Sequence, residues 1–111
     1  MKTSGLTGAA LDWAVAKCEG HNMDYFQVVD AYLPSTDWAQ AGPIIEREKI
    51  EIHKGNDLYF PSGNEKGDYY EPLWIAGKQH GQTPLIAAMR CYVASKLGDD
   101  VTLPPELEQA A

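Results

Sequence analysis

Residues 81–97, GQTPLIAAMRCYVASKL, constrain this chain more than any other stretch, because one periodicity and one start signal coincide there. Ile86, Met89, Val93 and Leu97 recur at helical spacing, with Leu85 and Tyr92 beside them, so a helix over 84–97 must bury a broad apolar face. Thr83 can accept the backbone N–H bonds left open at the helix start, and Pro84 needs no N–H at that position. Gly98 then stands where a left-handed C-terminal cap belongs. Gly81 lets the preceding backbone bend closely, and a helix start of this kind can hold an anion.

The remaining elements follow from shorter patterns. A helix over 7–19 is expected from Leu11, Val15 and Cys18, widened by Ala10, Trp13 and Ala14; Leu6 and Leu11 bracket the candidate cap Thr7 as a hydrophobic staple, and Gly20 stops it. YFQVVDAYL at 25–33 reads as a strand that Pro34 must end, followed by turn residues through Asp37. Gly42-Pro43 suggests a short helix over 43–49, with Ile44 and Ile45 inward and Glu46, Arg47, Glu48 and Lys49 largely outward. Alternation of Ile50 and Ile52 with polar residues predicts a hairpin across 50–60, and 61–72 reads as a loop that ends, unusually, in Tyr69 and Tyr70. LWIA at 73–76 is wholly apolar, hence a central strand, ended by Gly77. Val101 and Leu103 suit an edge strand. The fold expected is α+β: two main helices, 7–19 and 84–97, packed on one face of a small, mostly antiparallel sheet drawn from strands near 25–33, 50–60 and 73–76. Residues 1–103 form a single domain in this reading, and 104–111 an acidic C-terminal tail.

A chain of 111 residues, 44% of them hydrophobic, fills one core. Its net charge of −7 argues against nucleic acid as a partner, since phosphate binding is driven by Lys and Arg. There is no run of 18 apolar residues and no signal-peptide pattern at the N-terminus, so no membrane partner is expected and the protein reads as soluble and intracellular. Cys18 and Cys91 lie on apolar helix faces without zinc-site spacing and read as buried thiols.

Two polar, glycine-bearing connections carry the chemistry. One holds Thr36, Asp37, Trp38, Gln40 and Gly42; the other holds Gly81, Gln82 and Thr83. Should they meet, the helix start supplies N–H groups, Trp38 a stacking face, Asp37 or Gln40 directional hydrogen bonds, and Arg90 a second cationic contact, a set that suits a small anionic or nucleotide-like ligand. The competing reading makes Thr83 only a cap, Trp38 a core or hinge aromatic and Arg90 a surface or ion-pair residue. Catalysis has less support: Glu46 and Glu48 point about 200° apart on a helix, His21, His53 and His80 have no metal-ligand spacing, and Ser35 and Ser95 lack a nucleophile motif. No catalytic residue, metal site or cofactor is expected.

LTGAALDWAVAKCEG, STDWAQAGPIIERE and GQTPLIAAMRCYVASKLGDDV, in that order, resemble the NinX family of small proteins of lambdoid bacteriophages and prophages. The resemblance implies a phage or prophage accessory protein acting in the host cytoplasm, and it implies no particular activity. Family sequences tend to read TDWAQGG where this chain has Ala41 as the first of the pair, so a double-glycine turn is not a requirement at that point.

Three functions remain open: a non-catalytic binder of a small anionic ligand; a docking module for a host or phage protein, anchored by Trp38, Tyr69, Tyr70 and Trp74; and, more remotely, a small hydrolase. The oligomeric state is not legible.

Overall fold

Thr83 does what its position predicts. In the computed structural model, which describes residues 1–21, 31–63 and 67–108, its Oγ1 accepts the Ile86 N–H at 3.1 Å and opens a helix, here named α3, over Pro84–Leu97. Leu85, Ala87, Ala88, Met89, Tyr92 and Val93 are buried, an arc too wide for one neighbour, and α3 accordingly has packing partners on more than one side. Gly98 leaves the helix with φ +83° and ψ −161°, a positive-φ conformation that suits glycine but is not the left-handed helical cap.

Against α3 lies a three-stranded antiparallel sheet of β1 (His53–Lys54), β4 (Trp74–Ala76) and β5 (Gln79–Gly81), in the order β1-β4-β5. The apolar strand β4 is central, as its composition requires, with His53 opposite Ile75 on one side and Ile75 opposite His80 on the other. Gly77 carries the β4–β5 turn at φ +59°. Gly81 permits close contact between strand and helix: a Cβ there would lie 2.7 Å from the Ala87 nitrogen.

The other helices pack on α3. Helix α1 (Gly8–Cys18) presents Ala10, Leu11, Ala14 and Val15 to the core, and Leu6 and Leu11 are fully buried on either side of Thr7. Thr7 itself makes no side-chain cap bond; it serves through its carbonyl, which accepts from Leu11 N–H at 3.2 Å. Helix α2 spans Trp38–Glu48, with Ala41 and Ile44 buried. The architecture is α+β, with the expected helices in place and one further helix of comparable length.

Several local expectations need correction. The helix read from Gly42-Pro43 begins five residues earlier, because Asp37 caps it by accepting the Ala39 N–H at 3.0 Å. Pro43 is then internal, and its missing N–H leaves the Ala39 carbonyl without its helical donor. Ala41 is a helical, buried position, where alanine outperforms glycine. The hairpin across 50–60 does not form: β1 pairs with β4, while β2 (Leu58–Phe60) pairs with β3 (Tyr69–Glu71), inside the segment read as a loop. A strand read at 25–33 lies mostly outside the described residues; Tyr32 and Leu33, which are described, are not in a strand. Val101 and Leu103 are buried but form no edge strand; the Val101 N–H bonds to the Met1 carbonyl at 2.8 Å beside a single bridge between Lys2 and Asp100. Part of the acidic stretch is also structured. Helix α4 (Pro105–Glu108) places Leu107 in the core against α1, since one apolar residue in PELE suffices to anchor a turn.

Candidate functional site

The starts of α2 and α3 meet in space. Ser35, Thr36 and Trp38 from one side and Thr83, Pro84, Leu85 and Ile86 from the other line a groove of about 260 Å³. Trp38 is 55% exposed, so its ring is available for stacking and is not a core aromatic. Helix α1 holds this wall in place through Asp12, which is buried and whose Oδ1 accepts the Ser35 backbone N–H at 2.8 Å. Burial pushes the Asp12 carboxyl above the usual aspartate range, an effect that the Ser35 backbone N–H and the nearby Ser35 hydroxyl partly offset. That hydroxyl, itself buried on the groove wall, lies near the Asp12 carboxyl yet meets hydrogen-bond geometry with no atom of the described residues.

The helix start offers less to an anion than its sequence suggests. Pro84 has no N–H, the Ile86 N–H is taken by Thr83 Oγ1, and the Ala87 N–H by the Thr83 carbonyl at 3.2 Å, which leaves Leu85 as the one donor of the first turn without a partner among the described residues. The groove therefore has an aromatic face and three hydroxyls, and the Leu85 N–H belongs to a residue that is itself buried. Asp37 is occupied as the α2 cap. Gln40 is a clamp: its Oε1 accepts the Leu33 N–H at 2.8 Å and its Nε2 donates to the Ala31 carbonyl at 3.3 Å. Gly42 is inside α2 and lines neither this groove nor the next.

Gly81, Gln82 and Arg90 line a second groove, of about 330 Å³, with Thr7, Leu58, Glu71, Leu73, His80 and Ile86 among the other walls. Ile86 belongs to both grooves, which thus adjoin across one side chain. Gln82 Nε2 donates to Glu71 Oε2 at 2.9 Å, tying the β2–β3 hairpin to the body. Arg90 Nε donates to the Leu6 carbonyl at 2.8 Å and Nη1 to the His80 carbonyl at 2.7 Å. Burial alone shifts this guanidinium, downward.

A different cluster joins the C-terminal end of α1 to α2 and α3. Arg47 grips Glu19 through both terminal nitrogens, at 3.0 and 2.6 Å, and donates from Nε to Glu48 at 2.8 Å. Tyr92 donates its phenol to Glu19 at 2.5 Å. The Arg47 side-chain bond holds Glu19 below the usual glutamate range, while burial, followed by the Glu19 bond, raises Tyr92. Every charge in it has a partner, the arrangement of a structural tie. Beside it Glu48, Glu51, His53, Cys91, Tyr92 and Ser95 border a third groove, about 460 Å³. Cys91 is a partly buried free thiol that burial pushes up, and Cys18 is pushed up to about 11, also by burial, so neither is a ready nucleophile. Among the described residues no group of three or more His, Cys, Asp or Glu is placed to hold a metal ion, and no helix is long and apolar enough to cross a membrane.

A family model described as bacteriophage P22 NinX matches residues 2–96. The chain belongs to the NinX family. The match takes in α1, α2, both sheets and all but the last residue of α3, hence both adjoining grooves. No curated protein matches the chain. Within this NinX-family fold, Thr36, Trp38 and Thr83 share one groove and Gly81, Gln82 and Arg90 the other, while Asp37, Gln40 and Gly42 are parts of the α2 framework. Ser35, Asp12 and Glu71 escape sequence reasoning. A charged residue next to the buried stripe of α1 is the one available signal for Asp12; Ser35 and Glu71 acquire their positions from contacts with elements 23 and 11 residues away in sequence.

Proposed function

We propose that this phage protein is a non-catalytic binder that captures a small, ring-bearing anionic ligand of nucleotide-like character at the junction of α2 and α3. The observation that carries the reading is the exposed Trp38 ring on a concave wall opposite Thr83 and Ile86, beside the buried, unpartnered Ser35 hydroxyl. An exposed tryptophan offers a flat, polarisable face for a ring, and hydroxyls with spare donors and acceptors fix its orientation. The described lining of this groove carries no His, Cys, Lys, Asp or Glu, which favours capture over turnover. Host cytoplasm is the compartment this role requires.

Native mass spectrometry of the protein purified from its bacterial host tests the reading, followed by calorimetry with whatever small molecule is retained. A retained ligand whose affinity falls at least tenfold in Trp38→Ala and in Thr83→Ala, and which is recovered chemically unchanged, is the expected result. Chemical conversion of the ligand by purified protein overturns the non-catalytic reading, and binding unaffected by Trp38→Ala overturns the site.

A further inference from the structure

The anionic end of such a ligand has no strong partner at the α3 start, where the one N–H left over belongs to the buried Leu85, yet a cation with no carboxylate partner among the described residues lies in the adjoining groove. We propose that Arg90 is the anion-binding group of this protein, taking a phosphate or carboxylate in the groove between α3 and the β2–β3 hairpin, with Glu71 on the facing wall limiting how much negative charge is accepted. The inference rests on the capture reading only for the ring; the anion site stands on its own observations.

Among the described residues Arg90 takes part in no ion pair, as is true of Lys17, Lys49 and Lys78, but those three are exposed whereas Arg90 is partly buried; Arg47, Lys2, Lys54 and Lys96 each have a carboxylate partner. Its Nε and one N–H of Nη1 are spent on the Leu6 and His80 carbonyls, so of the five guanidinium donors three are unused among the described residues. The two backbone bonds fix the plane of the fork, which is the preorganisation that bidentate recognition of an oxyanion needs. A partly dehydrated cation without a counter-charge is costly, and an incoming anion removes that cost. The groove of about 330 Å³ is large enough for a phosphate or carboxylate with part of the group that carries it.

Glu71 bounds the same groove but does not pair with Arg90; its Oε2 is held by Gln82. A carboxylate so placed repels a second negative charge. Neutralising it strengthens anion binding without touching the Arg90 fork.

Inorganic phosphate and acetate, titrated into the full chain at constant ionic strength and followed by amide chemical shifts, are the test. Phosphate is expected to shift Gly81, Gln82 and Arg90 resonances saturably, to bind at least threefold more tightly to Glu71→Gln, and to lose at least tenfold in affinity in Arg90→Gln. Acetate should act at the same residues, and the Trp38→Ala variant should bind phosphate as the parent does. Because Arg90 also supports two carbonyls, Arg90→Lys is the companion variant: it keeps the charge, loses the fork, and should fold while binding at least threefold more weakly. Unsaturable shifts, or phosphate affinity unchanged in Glu71→Gln and Arg90→Lys, overturns the anion site. Phosphate binding that is intact while no ring-bearing ligand is captured overturns the capture reading and leaves the Arg90 site standing.

Discussion

Asp12 on α1 accepts the Ser35 backbone N–H across 23 residues of sequence, and this one buried bond sets where the Trp38 wall stands relative to the core. Asp12→Ala leaves that N–H buried without an acceptor and should cost about 1–3 kcal/mol in urea denaturation. Asp12→Asn keeps an acceptor for Ser35 N–H and adds an amide that can reach the unpartnered Ser35 hydroxyl, so it should be tolerated. The pH sign distinguishes them further. Since burial raises the folded-state pKa of Asp12 above its unfolded value, the benefit of the protonated form is complete below the unfolded value of about 3.8 and is lost as pH rises through the raised folded value. Asp12→Asn should therefore show a smaller decline in melting temperature on going from acid toward neutral pH.

Glu19 has the opposite sign. Its folded pKa is depressed, first by the Arg47 side-chain bond, so the contribution is present above the unfolded value of about 4.5 and disappears as pH falls through the lower folded value. Melting curves of Glu19→Gln should be less sensitive to acidification than those of the parent. Tyr92→Phe removes the phenol shared by Glu19 and Arg47 and should cost about 1–2 kcal/mol at neutral pH.

Gly81→Ala should destabilise the protein by about 1–3 kcal/mol, because the added methyl meets the Ala87 nitrogen at 2.7 Å and the Ile86 methyl at 2.8 Å. The glycine answers to α3 and not to a ligand. Chemical denaturation of this variant, with far-UV spectra to confirm that the helix persists, checks the assignment.

Met89→Ala should cost about 2–5 kcal/mol, as its side chain is fully buried at the meeting of helices and its removal leaves a cavity. Trp38→Ala, by contrast, should change stability by no more than about 0.5 kcal/mol, since the ring is more than half exposed. Equal losses in the two variants, measured by denaturant titration, would mean that Trp38 is a packing residue.

Local signals alone determined helices α1 and α3, the cap at Thr83 and the central place of the apolar strand β4, because each depends on periodicity or capping within a few residues. Pairing was decided elsewhere. Which strand His53–Lys54 joins depends on a partner some twenty residues on, and β3 emerges from a segment with loop chemistry because Tyr69 and Tyr70 find Phe60 and Tyr59 across the ladder. The Gly42-Pro43 step is locally a helix start, but the earlier Asp37 cap and the burial of Ala41 and Ile44 against the core outweigh the bond that Pro43 removes. The site shows the same division. Residue types suited to binding are visible in two short motifs, whereas the adjacency of Trp38 to Thr83, the occupation of Gln40 by backbone groups and the absence of a carboxylate on Arg90 exist only once α1, α2 and the sheet have packed around α3, since contact between distant segments is fixed by shared burial and not by local sequence.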